Sequence, residues 1–361
     1  KAVRYYTEVF DKIKLKNFKV SQRERKEAYK KVDKKTVEAM KKAAVNIQTF
    51  AKRQLENFKD FEYTKNGITL GQKIISIEKI GVYVPGGNYP LPSTALMCTV
   101  PARVAGVREI IVCSPKIRPA TIAAADLAGA DLIFNIGGTQ AIAAMAYGTE
   151  TVPRVDKVVG PGNIYVTLAK KEVFGDCGID LLAGPSEILV IADKYANFKF
   201  IAADLLAQAE HDINAELFFV TTSNKLLNEV TGEMQNQLKD LTTKEIIKKS
   251  LKKMKKFLVK DLKAAIKIAN DIAPEHLELL TKSPKKYLPK LKNYGSLFLG
   301  EYSAVVFSDY CSGTNHVLPT GRTSRYTGGL SVKDFIKIQT YQYLNKKGAR
   351  ELAKTAIRVA S

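Results

Sequence analysis

The chain has 361 residues and carries 57 Lys+Arg against 36 Asp+Glu, a formal net charge of +21, with 45% hydrophobic residues. That length supports more than one domain, and the hydrophobic fraction excludes a disordered chain. No run of about 18 apolar residues is present, which excludes a spanning helix, and four scattered cysteines, Cys98, Cys113, Cys177 and Cys311, fit buried thiols in a reducing cytoplasm better than a disulfide framework. The first residues, KAVRYYTEVFDKIKLK, lack the charged-then-apolar pattern of a signal peptide. They also lack an initiating Met, so the start is expected to be trimmed.

Residues 1–70 are charged, with apolar positions at helical intervals. Ser21 followed by Glu24 has capping-box spacing and predicts a helix start there. From about residue 75 to 220 the texture changes. IGVYVP, EIIVCSP, LIFNIGG, KVVGPG and EILVIAD are short Val/Ile-rich runs bounded by Gly or Pro, the pattern of buried parallel strands. Ala-rich helical stretches separate them, which predicts βαβ units and doubly wound sheets. AELFFVTTS adds a further strand, residues 215–223. The densest lysine run, residues 244–263, places Ile246, Ile247, Leu251, Met254, Leu258 and Leu262 near helical spacing, and predicts amphipathic helices with lysine facing solvent. GSLFLG predicts another strand, a Gly/Ser/Thr-rich loop spans residues 309–329, and the end reads as helical.

A charge of +21 raises nucleic acid as a partner. The lysine run lacks aromatic interleaving, and no zinc-finger, RRM or KH signature occurs. The lysines therefore read as a solvated face.

There are three histidines, His211, His276 and His316, each in an unusual polar stretch. In LLAQAEHD, Gln208 and His211 are three apart and would share a helix face. Such a pair can hold a divalent metal or form a surface pair. In IAPEHLEL, Glu275 and His276 are adjacent after Pro274, at what reads as a helix start. A carboxylate beside an imidazole can divide water activation and general-base work; the other reading is a first-turn acid with an ordinary neighbour. In SDYCSGTNHVLPTG, Asp309 is a candidate metal ligand and His316 a candidate substrate contact; an exposed connector is the alternative. Glycine-rich turns YVPGGN (83–88), NIGGTQ (135–140), GPGN (160–163) and AGPSE (183–187) could present N–H groups to phosphate. None fits G-x-G-x-x-G.

Taken in order, GVYVPGGNYPLPSTALM, FNIGGTQAIAAMAYGTETVPRVDKVVGPGN, DLLAGPSEILVIAD, LLAQAEHD, APEHLE and SGTNHVLPTG resemble the histidinol dehydrogenase family, over nearly the whole chain. The resemblance implies an α/β fold of two incomplete Rossmann-like doubly wound domains with small helical terminal elements. It groups residues 1–82 with 186–330 as the domain of the metal and catalytic residues, 83–185 as the NAD side, and 331–361 as a helical dimerisation element. It implies two-step oxidation of L-histidinol to L-histidine through the aldehyde, with NAD as oxidant and one zinc per active site. Gln208, His211 and Asp309 match zinc ligands that also contact substrate. His276 matches the general base and Glu275 the group that activates water. Ser186 and His316 match substrate contacts. Tyr83, Gln140 and Asn163 match NAD contacts. It further implies a cytoplasmic homodimer whose sites are shared across subunits. The family's fourth zinc ligand, a His near the extreme C-terminus, and a nearby Glu have no counterpart, because no His follows His316 and the sequence ends ARELAKTAIRVAS. Both ends are therefore expected to be missing from this sequence. Other readings kept at this point are a relative acting on another amino alcohol or a sulfonate, and a basic nucleic-acid binder on a degenerate scaffold.

Overall fold

The computed structural model describes residues 1–15, 17–86 and 90–361. Gly87 and Asn88 of the first glycine-rich turn lie outside the described residues. The chain opens with α1 (Ala2–Tyr6), which runs into a single π turn, Thr7–Asp11. α2 (Gln22–Lys31) starts where the capping box predicts: the Glu24 N–H donates to Ser21 Oγ at 3.2 Å, and the Ser21 N–H donates to the Glu24 carboxylate at 2.7 Å. α3 (Lys34–Leu55) is capped by Asp33. β1 (Phe61–Lys65) and β2 (Ile68–Ser76) form a hairpin, its turn made by Asn66 and Gly67 at positive φ.

Then come β3 (Lys79–Tyr83), α4 (Pro92–Val104), β4 (Glu109–Cys113), α5 (Pro119–Leu127), β5 (Leu132–Phe134), α6 (Gly138–Tyr147), β6 (Lys157–Val159), α7 (Ile164–Val173) and β7 (Gly178–Ile179). They make a parallel sheet in the order β5-β4-β3-β6-β7. A second set repeats the plan: β8 (Glu187–Ala192), α8 (Phe198–Ala209), β9 (Glu216–Thr221), α9 (Asn224–Gln237), α10 (Lys244–Leu251), β10 (Lys255–Leu258), α11 (Leu262–Ile272), β11 (His276–Leu280) and β12 (Ser296–Leu299). Its order is β10-β9-β8-β11-β12, again all parallel. Each sheet has the first five strands of the Rossmann order and lacks the sixth. α12 (Val305–Tyr310), β13 (Ile336–Leu344) and α13 (Lys346–Ala360) complete the chain.

Four sequence expectations change here. The lysine run is not helical throughout, because Lys255–Leu258 pairs with β9 as an edge strand. An edge strand tolerates lysine, and the charges guard it against further pairing. The C-terminal stretch is not all helix, because Ile336–Leu344 pairs antiparallel with β2 along its full length. β1, β2 and β13 thus form a separate antiparallel sheet. Residues 22–55 pack mainly against the first sheet's helices: α2 lies on α5 and α3 on α4, and Ala28, Met40 and Ile47 share a core with Ile80 and Val82. β3 likewise belongs wholly to the first sheet, so a boundary at residue 82 cuts a strand. Finally, of the cysteines only Cys98, Cys113 and Cys177 are buried; Cys311 is exposed.

Candidate active site

The carboxyl edge of the first sheet faces the amino edge of the second across a cavity of about 300 Å³. The first sheet contributes its switch point, the place where ligands bind in open α/β sheets. Pro85 follows β3, and Pro161 and Gly162 follow β6. Gly160 is held at φ +112, and a Cβ there would overlap the Tyr83 carbonyl, so only glycine lets these two strand ends converge. The second sheet contributes the opposite edge. Ser186 precedes β8, His276 opens β11, and Gln208 ends α8.

The PEH segment therefore sits at a strand start rather than a helix start. α11 ends at Ala273, whose left-handed backbone (φ 56, ψ 58) breaks the helix, and Pro274 cannot donate to continue it. HLELL is then buried between β8 and β12. Its alternation sends His276, Glu278 and Leu280 to the α8 side and Leu277 and Leu279 to the α11 side. His211 lies just past the end of α8, but its N–H still reaches the Gln208 carbonyl at 3.3 Å, so the pair stays side by side. Asp309 is on the short helix α12 rather than in a loop.

Ser186, Gln208, His211, Glu275, His276, Asp309 and His316 all line this one cavity. His276 Nδ1 donates to the Glu187 carbonyl at 3.0 Å. That bond fixes the tautomer and leaves the Nε2 lone pair free, buried and without a partner, 4.0 Å from Asp309 Oδ1. Burial pushes the His276 pKa down to about 4, so the ring is neutral and its Nε2 lone pair is open to accept a proton. His316 is held the same way: Nδ1 donates to the Asp309 carbonyl at 2.8 Å and Nε2 accepts from Thr94 Oγ1 at 3.2 Å. Burial raises the Glu275 carboxyl well above its ordinary value and pushes Asp309 up to about 6. No Lys or Arg is among the residues lining the cavity. In a chain of charge +21 this is an acidic pocket, suited to cationic ligands.

The three residues matched to NAD do not line this cavity. Tyr83 Oη accepts from the Gly138 N–H at 3.1 Å at the first sheet's carboxyl edge, and buried Gln140 beside it has an Oε1 without a partner. Asn163 caps α7, accepting from the Tyr165 and Val166 N–H groups, which leaves its amide nitrogen to donate. It adjoins the cavity through Gly162.

Sequence reasoning passed over Glu187, Thr94, Asp204 and Glu278. Glu278 is buried on β11 with neither carboxyl oxygen hydrogen-bonded. Burial, then the facing Asp204, raises its pKa well above the ordinary value, which favours the protonated form. A raised folded pKa means that the native state holds its proton while the unfolded chain has lost it. Stability therefore falls as pH rises above about 4.5, the unfolded range. Glu278→Gln removes that loss. Urea titrations should show the variant gaining on the parent between pH 5 and pH 8; a pH-independent gap would refute the raised pKa of Glu278.

Two Rossmann-order sheets facing a buried neutral imidazole are an arrangement that suits an oxidoreductase. The family model described as histidinol dehydrogenase matches residues 1–361. A histidinol dehydrogenase from Methanocaldococcus jannaschii is 50% identical over 99% of this chain and 85% of its own length, and one from Aquifex aeolicus is 49% identical over 100% and 85%. The crystal structure of histidinol dehydrogenase from Elizabethkingia anophelis matches with a TM-score of 0.95 at 39% identity, over 99% of this chain and 84% of that one. The chain belongs to the histidinol dehydrogenase family: it is an oxidoreductase of histidine biosynthesis, its substrate is histidinol, and its family uses NAD. A propionaldehyde dehydrogenase from Rhodopseudomonas palustris shares the fold alone, with a TM-score of 0.54 at 12% identity. Among the described residues no helix is long and apolar enough to cross a membrane.

Proposed function

We propose that this cavity oxidises histidinol twice, with His276 Nε2 taking the hydroxyl proton in the first step and Glu275 activating water for the second. The observation that carries the reading is the unpartnered Nε2 of His276, held in one tautomer by the Glu187 carbonyl. The first oxidation removes a hydride and a proton from the alcohol carbon and oxygen and leaves an aldehyde. The second adds water to that aldehyde and removes a hydride and two protons, leaving the carboxylate. Glu275 lies beside His276 and can take a proton from the water. Ser186 and His316 bound the cavity where the substrate's polar groups must lie.

NAD supplies the hydride acceptor for each oxidation. Gln140 Oε1, an orphaned buried acceptor, suits such a polar ligand, with Tyr83 and Asn163 beside the same edge. For metal, no group of three or more His, Cys, Asp or Glu side chains converges among the described residues. Gln208, His211 and Asp309 supply only two of those types. Their amide oxygen, imidazole nitrogen and carboxylate nonetheless form a donor set that suits zinc and leaves positions for substrate atoms. A zinc ion there would act as a Lewis acid that grips the substrate's amine and imidazole. The same reading takes the enzyme as a cytoplasmic homodimer, with residues 331–361 on the dimer side. It also takes the two five-stranded sheets as its two domains.

The test is stoichiometric. Histidinol, excess NAD+ and zinc should yield two NADH per histidinol, lost on adding a chelator and restored by zinc. Turnover untouched by exhaustive chelation would remove the metal from the reading. No NADH at all with metal bound would remove the assignment of the base.

A further inference from the structure

Glu187 stands where three segments of the site meet. Its four polar groups are all committed to them. Its N–H donates to Glu275 Oε2 at 2.9 Å, and its carbonyl accepts from His276 Nδ1 at 3.0 Å. Its side-chain Oε2 accepts from the Glu275 N–H at 3.2 Å, and Oε1 accepts from the Gly321 N–H at 2.8 Å. Glu187 and Glu275 thus cap each other reciprocally across the β8–β11 edge. Through Gly321 the same side chain ties down the loop that carries His316. Thr320 Oγ1 seconds this, accepting from the Gly184 N–H at 2.5 Å. The residue is buried, so water cannot replace either acceptor. A carboxylate is the side chain that can accept at both positions; an amide offers one oxygen only.

The division of these bonds is informative. His276 is held by the backbone of residue 187, which any substitution keeps. The Glu275 carboxyl also rests on the backbone N–H of residue 187, but the Glu275 N–H rests on the Glu187 side chain, which a substitution removes. We propose that Glu187 is a positioning residue for the second oxidation: its carboxylate fixes Glu275, and with it the water-activating carboxyl, while the base for the first oxidation is held independently. This rests on the reading of Glu275 given above.

The test compares the full chain with Glu187→Ala, Glu187→Gln and Glu275→Gln, each loaded with zinc. Histidinol and histidinaldehyde are supplied separately with NAD+, and free aldehyde is trapped with semicarbazide. Both Glu187 variants should lower the aldehyde step more than the alcohol step, by about tenfold for Glu187→Ala, the scale of the one buried hydrogen bond lost to Glu275 of the two its side chain accepts. Glu187→Gln keeps the volume and one acceptor, so it should fall between Ala and the parent. NADH per histidinol should drop from two towards one as trapped aldehyde accumulates. Equal loss in both steps, or none, while Glu275→Gln blocks the aldehyde step selectively, overturns the proposal and leaves the role of Glu275 standing. Aldehyde oxidation at the parent rate in Glu275→Gln overturns both.

Discussion

Replacing His276 by Asn is expected to cut NADH formation from histidinol by about 10²–10⁴-fold, the contribution of a well-placed general base. The Asn amide nitrogen can still donate to the Glu187 carbonyl, as Nδ1 does now. What disappears is the buried lone pair at Nε2, and nothing else in the cavity replaces it. Glu275 keeps both its hydrogen bonds to Glu187. Gln208, His211 and Asp309 are untouched, so zinc content, measured by elemental analysis, should match the parent. The kinetic signature is a loss in kcat with little change in KM, because the proton is taken in the transition state and not on binding. Turnover within a few-fold of the parent would show that another group is the base.

The second large effect is on stability. Lys170 and Asp180 form an ion pair whose side chains are 2% and 1% exposed. The pair is not isolated: Lys170 Nζ also donates to the Gly160 carbonyl at 2.9 Å, and the Gly160 N–H donates to Asp180 Oδ2 at 2.8 Å. It therefore clamps the GPG turn that walls the cavity. Thr167, one turn earlier on α7, donates to the Ala183 carbonyl at 3.0 Å and ties in the AGPS turn. Lys170→Met fills most of the same volume but strands a buried carboxylate, which costs about 3–5 kcal/mol. Lys170→Met with Asp180→Asn removes both charges and keeps an acceptor for Gly160, so it should recover much of that loss. Denaturant midpoints of the three proteins decide it. A single-variant cost below about 1 kcal/mol would place the pair with ordinary surface bridges.

These two sites also show what could be seen in advance. Local chemistry was legible. Ser21 and Glu24 announced a helix start because a capping box is complete within four residues. EILVIAD announced a buried strand because β-branched residues without polar alternation suit a strand covered on both faces. The site residues Gln208, His211, Glu275, His276, Asp309 and His316 could be picked out because each stood in a polar stretch that packing alone did not explain. Their convergence on one cavity was not local information.

Elements whose identity depends on a distant partner are not legible in the sequence. KKFL became a strand only because β9 offers it an edge, and IQTYQYL only because β2 lies alongside. PEHLE reads as a helix start because a Pro-Glu pair suits a first turn. The left-handed Ala273 and the open slot between β8 and β12 made it a strand instead. Glu187 followed a recognisable AGPS turn, yet nothing in its neighbours points to residues 275 and 321. The sequence alone determined the central strands of both sheets, where the first helices start and which side chains carry chemistry, because backbone preference and residue type act within a few positions. Tertiary structure alone decided the edge of each sheet on which those side chains meet, the tautomer of His276 and the hub at Glu187, because hydrogen bonds and burial join residues that the chain keeps nearly ninety positions apart.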